Sequence, residues 1–298
     1  MTRPTKPSIA ERLFVALQHL IPQRWLSTQM YRLARVRWRP LKALLIRIFA
    51  RLYRIDMNLA LEPRLAAYAH FNAFFTRALK PDVRPLDAHP RALLCPVDGA
   101  ISQIGAISNG KLIQAKGHEF SVEDLLGLES SETHPFDGGQ FATIYLSPND
   151  YHRIHMPLAG DLTQMRHVPG RLFSVNATTA RLVPGLFARN ERLVCRFDTE
   201  AGNMGLILVG AIFVGGIETV WAGEITPPHS QQSIQRWDYA DDAQHIRLEA
   251  GDEMGRFNLG STVILLFPPN RVQWEPGLVA GQKVQLGQRL GLRLAIES

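Results

Sequence analysis

Residues 257–267 read FNLGSTVILLF, with the β-branched and aliphatic character of a buried strand, yet Gly260, Ser261 and Thr262 interrupt the run. A glycine inside a strand loses packing and costs conformational entropy, and a hydroxyl turned towards a core needs a partner. Period-two alternation places Phe257, Leu259, Ser261, Val263, Leu265 and Phe267 on one face and Asn258, Gly260, Thr262, Ile264 and Leu266 on the other. Ser261 therefore shares an apolar face. Taken alone, it reads first as a buried hydroxyl bonded to backbone, and only second as a nucleophile.

Working outward, the same kind of short apolar stretch, separated by Gly, Pro, Asn and Asp, recurs from residue 85 to the end. Residues 142–146, 193–197, 204–214, 217–222 and 263–267 are the strand candidates. The other end of the chain is different. Residues 9–20 carry Ile9, Leu13, Phe14 and Leu17 at helical spacing, and residues 41–53 carry Leu41, Leu44, Leu45, Ile48, Phe49 and Leu52. A third helical segment is expected over residues 63–79. The predicted fold is α+β, with N-terminal amphipathic helices followed by a mainly antiparallel β domain. It divides into a basic helical module (1–62) and a β-rich domain (63–298), without internal repeats.

Of 298 residues, 46% are hydrophobic, ample for a packed core. Residues 1–56 hold twelve Lys or Arg against Glu11 and Asp56, a surplus of ten that leaves the remaining chain at −4 within a total of +6. The basicity is thus an N-terminal property. With Trp25, Tyr31 and Trp38 between the two helical stretches, it suits an anionic membrane surface. A packed helical hairpin with a solvated basic face, or a nucleic-acid arm, is the alternative. Arginines break the early apolar runs, so no signal peptide is expected. The longest uncharged run, residues 201–217, contains five glycines and reads better as core strands than as a bilayer span. Cys95 and Cys195 are too few for a disulfide framework and suit two buried thiols in a reducing compartment.

Two further places concentrate reactive groups. In CPVDGAIS (95–102), Asp98-Gly99 is by itself a common turn signal. In SPNDYHRIHMPLAG (147–160), His152 and His155 would share a face in a helix but serve different neighbours in an extended segment. No HExxH pattern or third nearby ligand supports a metal, and none is expected.

The blocks PVDG (96–99), DYHRIHMP (150–157), GRLFSVN (170–176), LFARNER (186–192), ETVWAGEITPP (218–228) and GRFNLGSTVI (255–264), in this order, closely resemble the phosphatidylserine decarboxylase family across most of residues 63–290. The first 60 residues resemble it in character, being basic and amphipathic. The resemblance implies an inactive proenzyme that cuts itself between Gly260 and Ser261 into a β chain (1–260) and an α chain (261–298). Asp98, His155 and Ser261 match the family's self-processing triad, in which a histidine takes the serine proton and a carboxylate orients it. Ser261 would then become a covalent pyruvoyl group, which forms a Schiff base with the substrate amine. His152 matches a family histidine acting near the substrate carboxylate or as proton donor.

By the same resemblance the substrate is phosphatidylserine, converted to phosphatidylethanolamine and CO₂. The β and α chains form a heterodimer, and a dimer of heterodimers is compatible with it. The enzyme is peripheral, on the cytoplasmic side of the cell membrane, and has no nucleic-acid partner. Phe71, Phe74, Phe75, Leu172 and Phe173 could line a lipid entry or equally be core. Two rivals remain: a non-enzymatic membrane-binding module, and a metal-dependent hydrolase using Asp98, His152 and His155.

Overall fold

A computed structural model describes residues 7–115, 118–129, 131–213, 216–227, 232–240, 245–258 and 261–295. Three helices open the chain: α1 (Ile9–Leu20), α2 (Gln23–Ala34) and α3 (Arg39–Leu52). Ser8 caps α1 and forms a reciprocal capping box with Glu11, satisfying two otherwise orphaned amides. α2 lies where the sequence suggested only a connection. The segment expected to be a helix over residues 63–79 contains just a 3₁₀ turn (Leu65–Ala67) and a five-residue helix, α4 (Phe71–Phe75).

The strands run, in chain order, β1 (Ala92–Leu94), β2 (Gly99–Ala106), β3 (Lys111–Ala115), β4 (His118–Ser121), β5 (Gln140–Leu146), β6 (Arg153–His155), β7 (Gly160–Val168), β8 (Arg192–Thr199) and β9 (Gly202–Val209). They continue with β10 (Ile217–Thr219), β11 (Gly223–Thr226), β12 (Gln235–Asp238), β13 (Arg247–Leu248), β14 (Glu253–Phe257), β15 (Ser261–Phe267), β16 (Val272–Trp274), β17 (Lys283–Val284) and β18 (Arg289–Arg293). The pairs are antiparallel, as expected. The main sheet is ordered β12-β7-β8-β9-β15-β5-β2-β17, with β13 also on β7, and a smaller one is ordered β11-β10-β14-β6.

The opening stretch is not one strand. Phe257 ends β14 in the smaller sheet, whereas Ser261 begins β15 in the main sheet. Leu259 and Gly260, including the upstream side of the expected cleavage site, lie outside the described residues. All seven residues of β15 are buried, so no solvent face alternates with a core face. β15 is central: Thr262 pairs with Tyr145 of β5 on one side and with Val209 of β9 on the other. Runs of this kind are typical of strands covered on both faces.

Asp98-Gly99 is not a hairpin turn either. Gly99 opens β2 and pairs with Val284, and a Cβ there would stand 2.5 Å from the Tyr145 carbonyl oxygen. Close backbone approach, rather than a turn, demands this glycine. Cys95 and Cys195 are free and buried, as expected.

A second apolar cluster joins the helices: Ala34, Ile46, Phe71, Phe74 and Phe75 are buried together. Phe71, Phe74, Phe75, Leu172 and Phe173 are all buried, favouring the core alternative. The helices also bind the β domain by polar contacts. Gln18 Oε1 accepts from the Ser174 amide at 2.8 Å and Gln23 Oε1 from the Leu172 amide at 2.9 Å. Ser27 Oγ accepts from the Phe213 amide at 3.2 Å, and Glu11 pairs with Arg181.

Candidate active site

Ser261 heads the central strand, and Leu146 is its cross-strand partner. Its side chain is completely buried, and its Oγ has no hydrogen-bond partner among the described residues. A buried hydroxyl left so costs roughly 1–3 kcal/mol. The expectation of a hydroxyl satisfied by backbone therefore fails, and a hydroxyl held for another purpose remains.

A cavity of about 320 Å³ opens at this end of β15. Leu146 and Pro148, at the end of β5, line one part, and Ala211 and Phe213, just past β9, another; Phe14 and Gln18 of α1 also contribute. Ser174 and Asn176 add polar groups. Asn190, which sequence reasoning quoted only within LFARNER, organises this wall. Its Oδ1 accepts from the Phe173 amide at 3.1 Å, while its Nδ2 donates to the Phe173 and Gly210 carbonyls at 2.8 and 2.9 Å. A buried polar residue between a helical turn and a strand was the available signal.

His152 and His155 lie in extended backbone around β6 and serve different neighbours. His152 is fully buried, its ring 4.1 Å from that of Phe75. Its Nδ1 lies 2.8 Å from the Asp150 carbonyl oxygen. A carbonyl only accepts, so the proton sits on Nδ1, leaving Nε2 as a buried lone pair without a partner among the described residues. Burial pushes its pKa down to about 3, against the opposing Asp150 hydrogen bond. The imidazole is therefore neutral at physiological pH.

His155 is held at both nitrogens. Its Nδ1 donates to the Gly251 carbonyl at 2.7 Å, and its Nε2 accepts from the Tyr151 hydroxyl at 3.2 Å. Burial pushes the Tyr151 phenol up to about 12, keeping it a donor. Burial also lowers the pKa of His155, again despite a hydrogen bond to backbone. Both histidines are thus neutral bases.

Asp98 is committed elsewhere. Arg84 Nε donates to its two oxygens at 2.8 and 3.1 Å, Arg84 Nη2 donates at 2.6 Å, and the Leu286 amide donates at 2.9 Å. Sequence reasoning did not foresee Arg84. Among the described residues, no hydrogen bond joins Asp98, His155 and Ser261 to one another. Backbone contacts do tie their segments: the His155 amide donates to the Pro96 carbonyl at 2.9 Å, and the Phe257 amide to that of His152 at 3.0 Å. β6 lies beside β14, the strand that leads towards Ser261. Among the described residues no group of three or more His, Cys, Asp or Glu could hold a metal ion.

A family model described as phosphatidylserine decarboxylase matches residues 71–292, and another, described as PSD, matches residues 13–54. The chain belongs to the phosphatidylserine decarboxylase family. It is 57% identical over 283 residues to the phosphatidylserine decarboxylase proenzyme of Azotobacter vinelandii, covering 94% of this chain and 98% of that protein. It is likewise 57% identical over 281 residues to the proenzyme of Ectopseudomonas mendocina, covering 94% and 98%. The Bordetella pertussis proenzyme is 57% identical over 282 residues, covering 95% of each chain. These family members match the helical module as well as the β domain. Among the described residues no helix is long and apolar enough to cross a membrane.

Proposed function

We propose that this chain is a proenzyme that cleaves itself between Gly260 and Ser261 and then decarboxylates phosphatidylserine to phosphatidylethanolamine. The observation that carries this reading is the buried, unpartnered Ser261 hydroxyl heading the central strand beside a cavity. In the first step Ser261 Oγ attacks the Gly260 carbonyl carbon. Its proton passes to His155 and on to the departing amide nitrogen, so an ester replaces the peptide bond. Loss of the Cα proton of residue 261 then expels the Gly260 carboxylate by elimination. The enamine left behind tautomerises, takes up water and releases ammonia, leaving a carbonyl at the start of the α chain.

The environment of Ser261 fits such a group: the residue is fully buried, and its cross-strand neighbour Leu146 lines the cavity, so bulk water is kept from it. A pyruvoyl carbonyl supplies an electron sink for the electron pair left when CO₂ departs from an amino-acid headgroup. His152 is placed in this reading as the group that returns a proton, its free Nε2 being the buried base that can carry one. Asp98, through Arg84 and the Leu286 amide, holds the PVDG segment against the C-terminal segment, and its negative charge acts on His152.

This reading is tested on the purified chain. The expected smaller fragment spans residues 261–298, has no free amino end, and loses activity on treatment with phenylhydrazine. A smaller fragment with a free serine amine would overturn the pyruvoyl assignment.

The helical module supports a peripheral membrane site. Ile9, Leu13, Leu17 and Leu20 of α1 and Leu44, Ile48 and Leu52 of α3 are exposed, more apolar surface than a solvated hairpin shows. Met30, Leu33, Leu45, Ile48, Leu52 and Phe71 line a groove of about 190 Å³. Phe14 of the same α1 helix lines the cavity that Leu146, the cross-strand neighbour of Ser261, also lines, so an apolar helix face adjoins that cavity. A Leu13→Asp, Leu17→Asp variant is expected to bind anionic vesicles at least tenfold more weakly, with self-cleavage intact. Vesicle flotation checks this, and unchanged binding would remove α1 from the membrane contact.

The buried histidines also predict an acid limb. The folded pKa of His152, about 3, lies below the unfolded value of about 6.5. Between these values the unfolded chain binds the extra proton, so this contribution to stability is full above pH 6.5 and lost as pH falls towards 3. In denaturant titrations from pH 7 to pH 4, His152→Phe is expected to show a shallower loss of stability than the native chain.

A further inference from the structure

The three-residue connection 258–260 is all that separates β14 from Ser261, and its upstream residue, Asn258, is fully buried. The Asn258 amide donates to the Gly216 carbonyl at 2.9 Å. Its side chain is held at both ends. Oδ1 accepts from Asn72 Nδ2 at 2.9 Å, and Nδ2 donates to Glu224 Oε1 at 3.1 Å. Glu224 in turn accepts from the Tyr31 hydroxyl at 2.9 Å and pairs with Arg35. The Arg35 guanidinium lies 3.7 Å from the centre of the Tyr31 ring. Tyr31 belongs to α2 and Arg35 caps its C-terminus, so an unbroken polar chain runs from the helical module to the residue two positions before Gly260.

We infer that this Tyr31/Arg35–Glu224–Asn258–Asn72 chain positions the scissile segment, making the docking of α2 on the β domain a condition for efficient maturation. The inference rests on self-cleavage between Gly260 and Ser261. An intramolecular acyl shift needs the attacking oxygen within about 3–3.5 Å of the carbonyl carbon, and an error of about 1 Å can cost about a hundredfold. Downstream, Ser261 is fixed by β5. Upstream, the corresponding anchor is Asn258, and its side chain has two partners, each from a distant part of the sequence. Hydrogen bonds to a charged group such as Glu224 are the stronger kind. Asn258, Glu224, Arg35 and Tyr31 are therefore positioning residues: none takes a proton in the reaction.

The test follows the uncut full-length chain by intact mass after synthesis, for the native chain and for Asn258→Asp, Glu224→Gln, Arg35→Ala and Arg35→Lys. Asn258→Asp sets a second carboxylate against Glu224 and is expected to slow cleavage by about tenfold or more. Glu224→Gln and Arg35→Ala should slow it similarly, with partial recovery in Arg35→Lys. Arg35→Ala, once matured, should decarboxylate at the native rate per α chain, which a general loss of structure would not allow. Glu11→Gln removes a different tie between helix and domain, the pair with Arg181, and should cleave normally.

Native cleavage rates in Glu224→Gln and Arg35→Ala would overturn the inference, as would equal slowing in Glu11→Gln. A native chain that stays uncut would overturn the self-cleavage reading and this inference with it. A native chain that cuts while the variants also cut normally would overturn the inference alone.

Discussion

Ser261→Ala is expected to remain a single chain of 298 residues with no decarboxylase activity. The native protein should give chains of residues 1–260 and 261–298. The substitution removes one oxygen from a buried site where that oxygen has no hydrogen-bond partner among the described residues. Folding should therefore survive, and stability can even rise, because an unsatisfied polar atom is removed. Intact mass and a melting curve together check this. Normal fragmentation of the variant would refute the cleavage assignment, and a melting temperature lowered by 10 °C or more would contradict the structural account of the hydroxyl.

His155→Ala is expected to slow maturation by about 10²–10⁴-fold, the usual contribution of a positioned general base. Accumulated uncut chain, measured over hours, reads the effect. The hydrogen-bond pattern adds a comparison. His155 Nε2 accepts from the Tyr151 hydroxyl, so Tyr151→Phe frees that lone pair and should slow maturation far less than His155→Ala. Burial holds the His155 pKa below its ordinary value, so the base stays unprotonated to lower pH than an exposed histidine. Cleavage should stay level as pH falls through 6.5 and decline only below the lowered pKa. A decline centred above pH 6.5 would assign the base to another group. Native-like cleavage in His155→Ala would leave His152, with its unpartnered Nε2, as the residue to examine.

Strands were legible where one residue pattern reported one environment. Residues 142–146 and 193–197 fall within β5 and β8 because their apolar runs are bounded by turn formers. The run through residues 257–267 misled for a definite reason. Phe257 and Ser261 stand four positions apart, an even offset, so alternation stays in phase across the connection although the chain changes sheet. A one-dimensional pattern does not register that change. α2 escaped for a different reason. Its fully buried residues are Gln23, Ser27 and Ala34, and the first two meet the β domain by hydrogen bonds, so the face it turns to that domain is polar rather than the apolar face by which a docked helix is read. The phenylalanines of residues 71–75 were visible, but the helix they form is one turn long and fills a core shared with α2 and α3.

The candidate site was legible as a set of residue types and only partly as a geometry. Ser261, His155 and Asp98 stand in blocks that resemble a family, which names them without saying what each touches. That Asp98 pairs with Arg84, or that Asn258 meets residues 34 and 186 positions away, depends on the folded chain. Long-range polar pairs carry no local signature, because side-chain hydrogen bonding selects partners in space.

The place of β15 in the main sheet bears on what happens to the two fragments. Segments beyond residue 260 supply its central strand, an edge partner for β2 and two of three strands in the sheet with β1. Chain ends ordinarily fray. Here the new end would be created in an already assembled interior, held by β5 and β9. The subunits of the mature protein would not meet by diffusion, and no dissociation constant in the usual sense would govern them. Dilution should leave them together until the whole sheet unfolds, and separately made fragments should fail to reconstitute what one folding event followed by one cut produces.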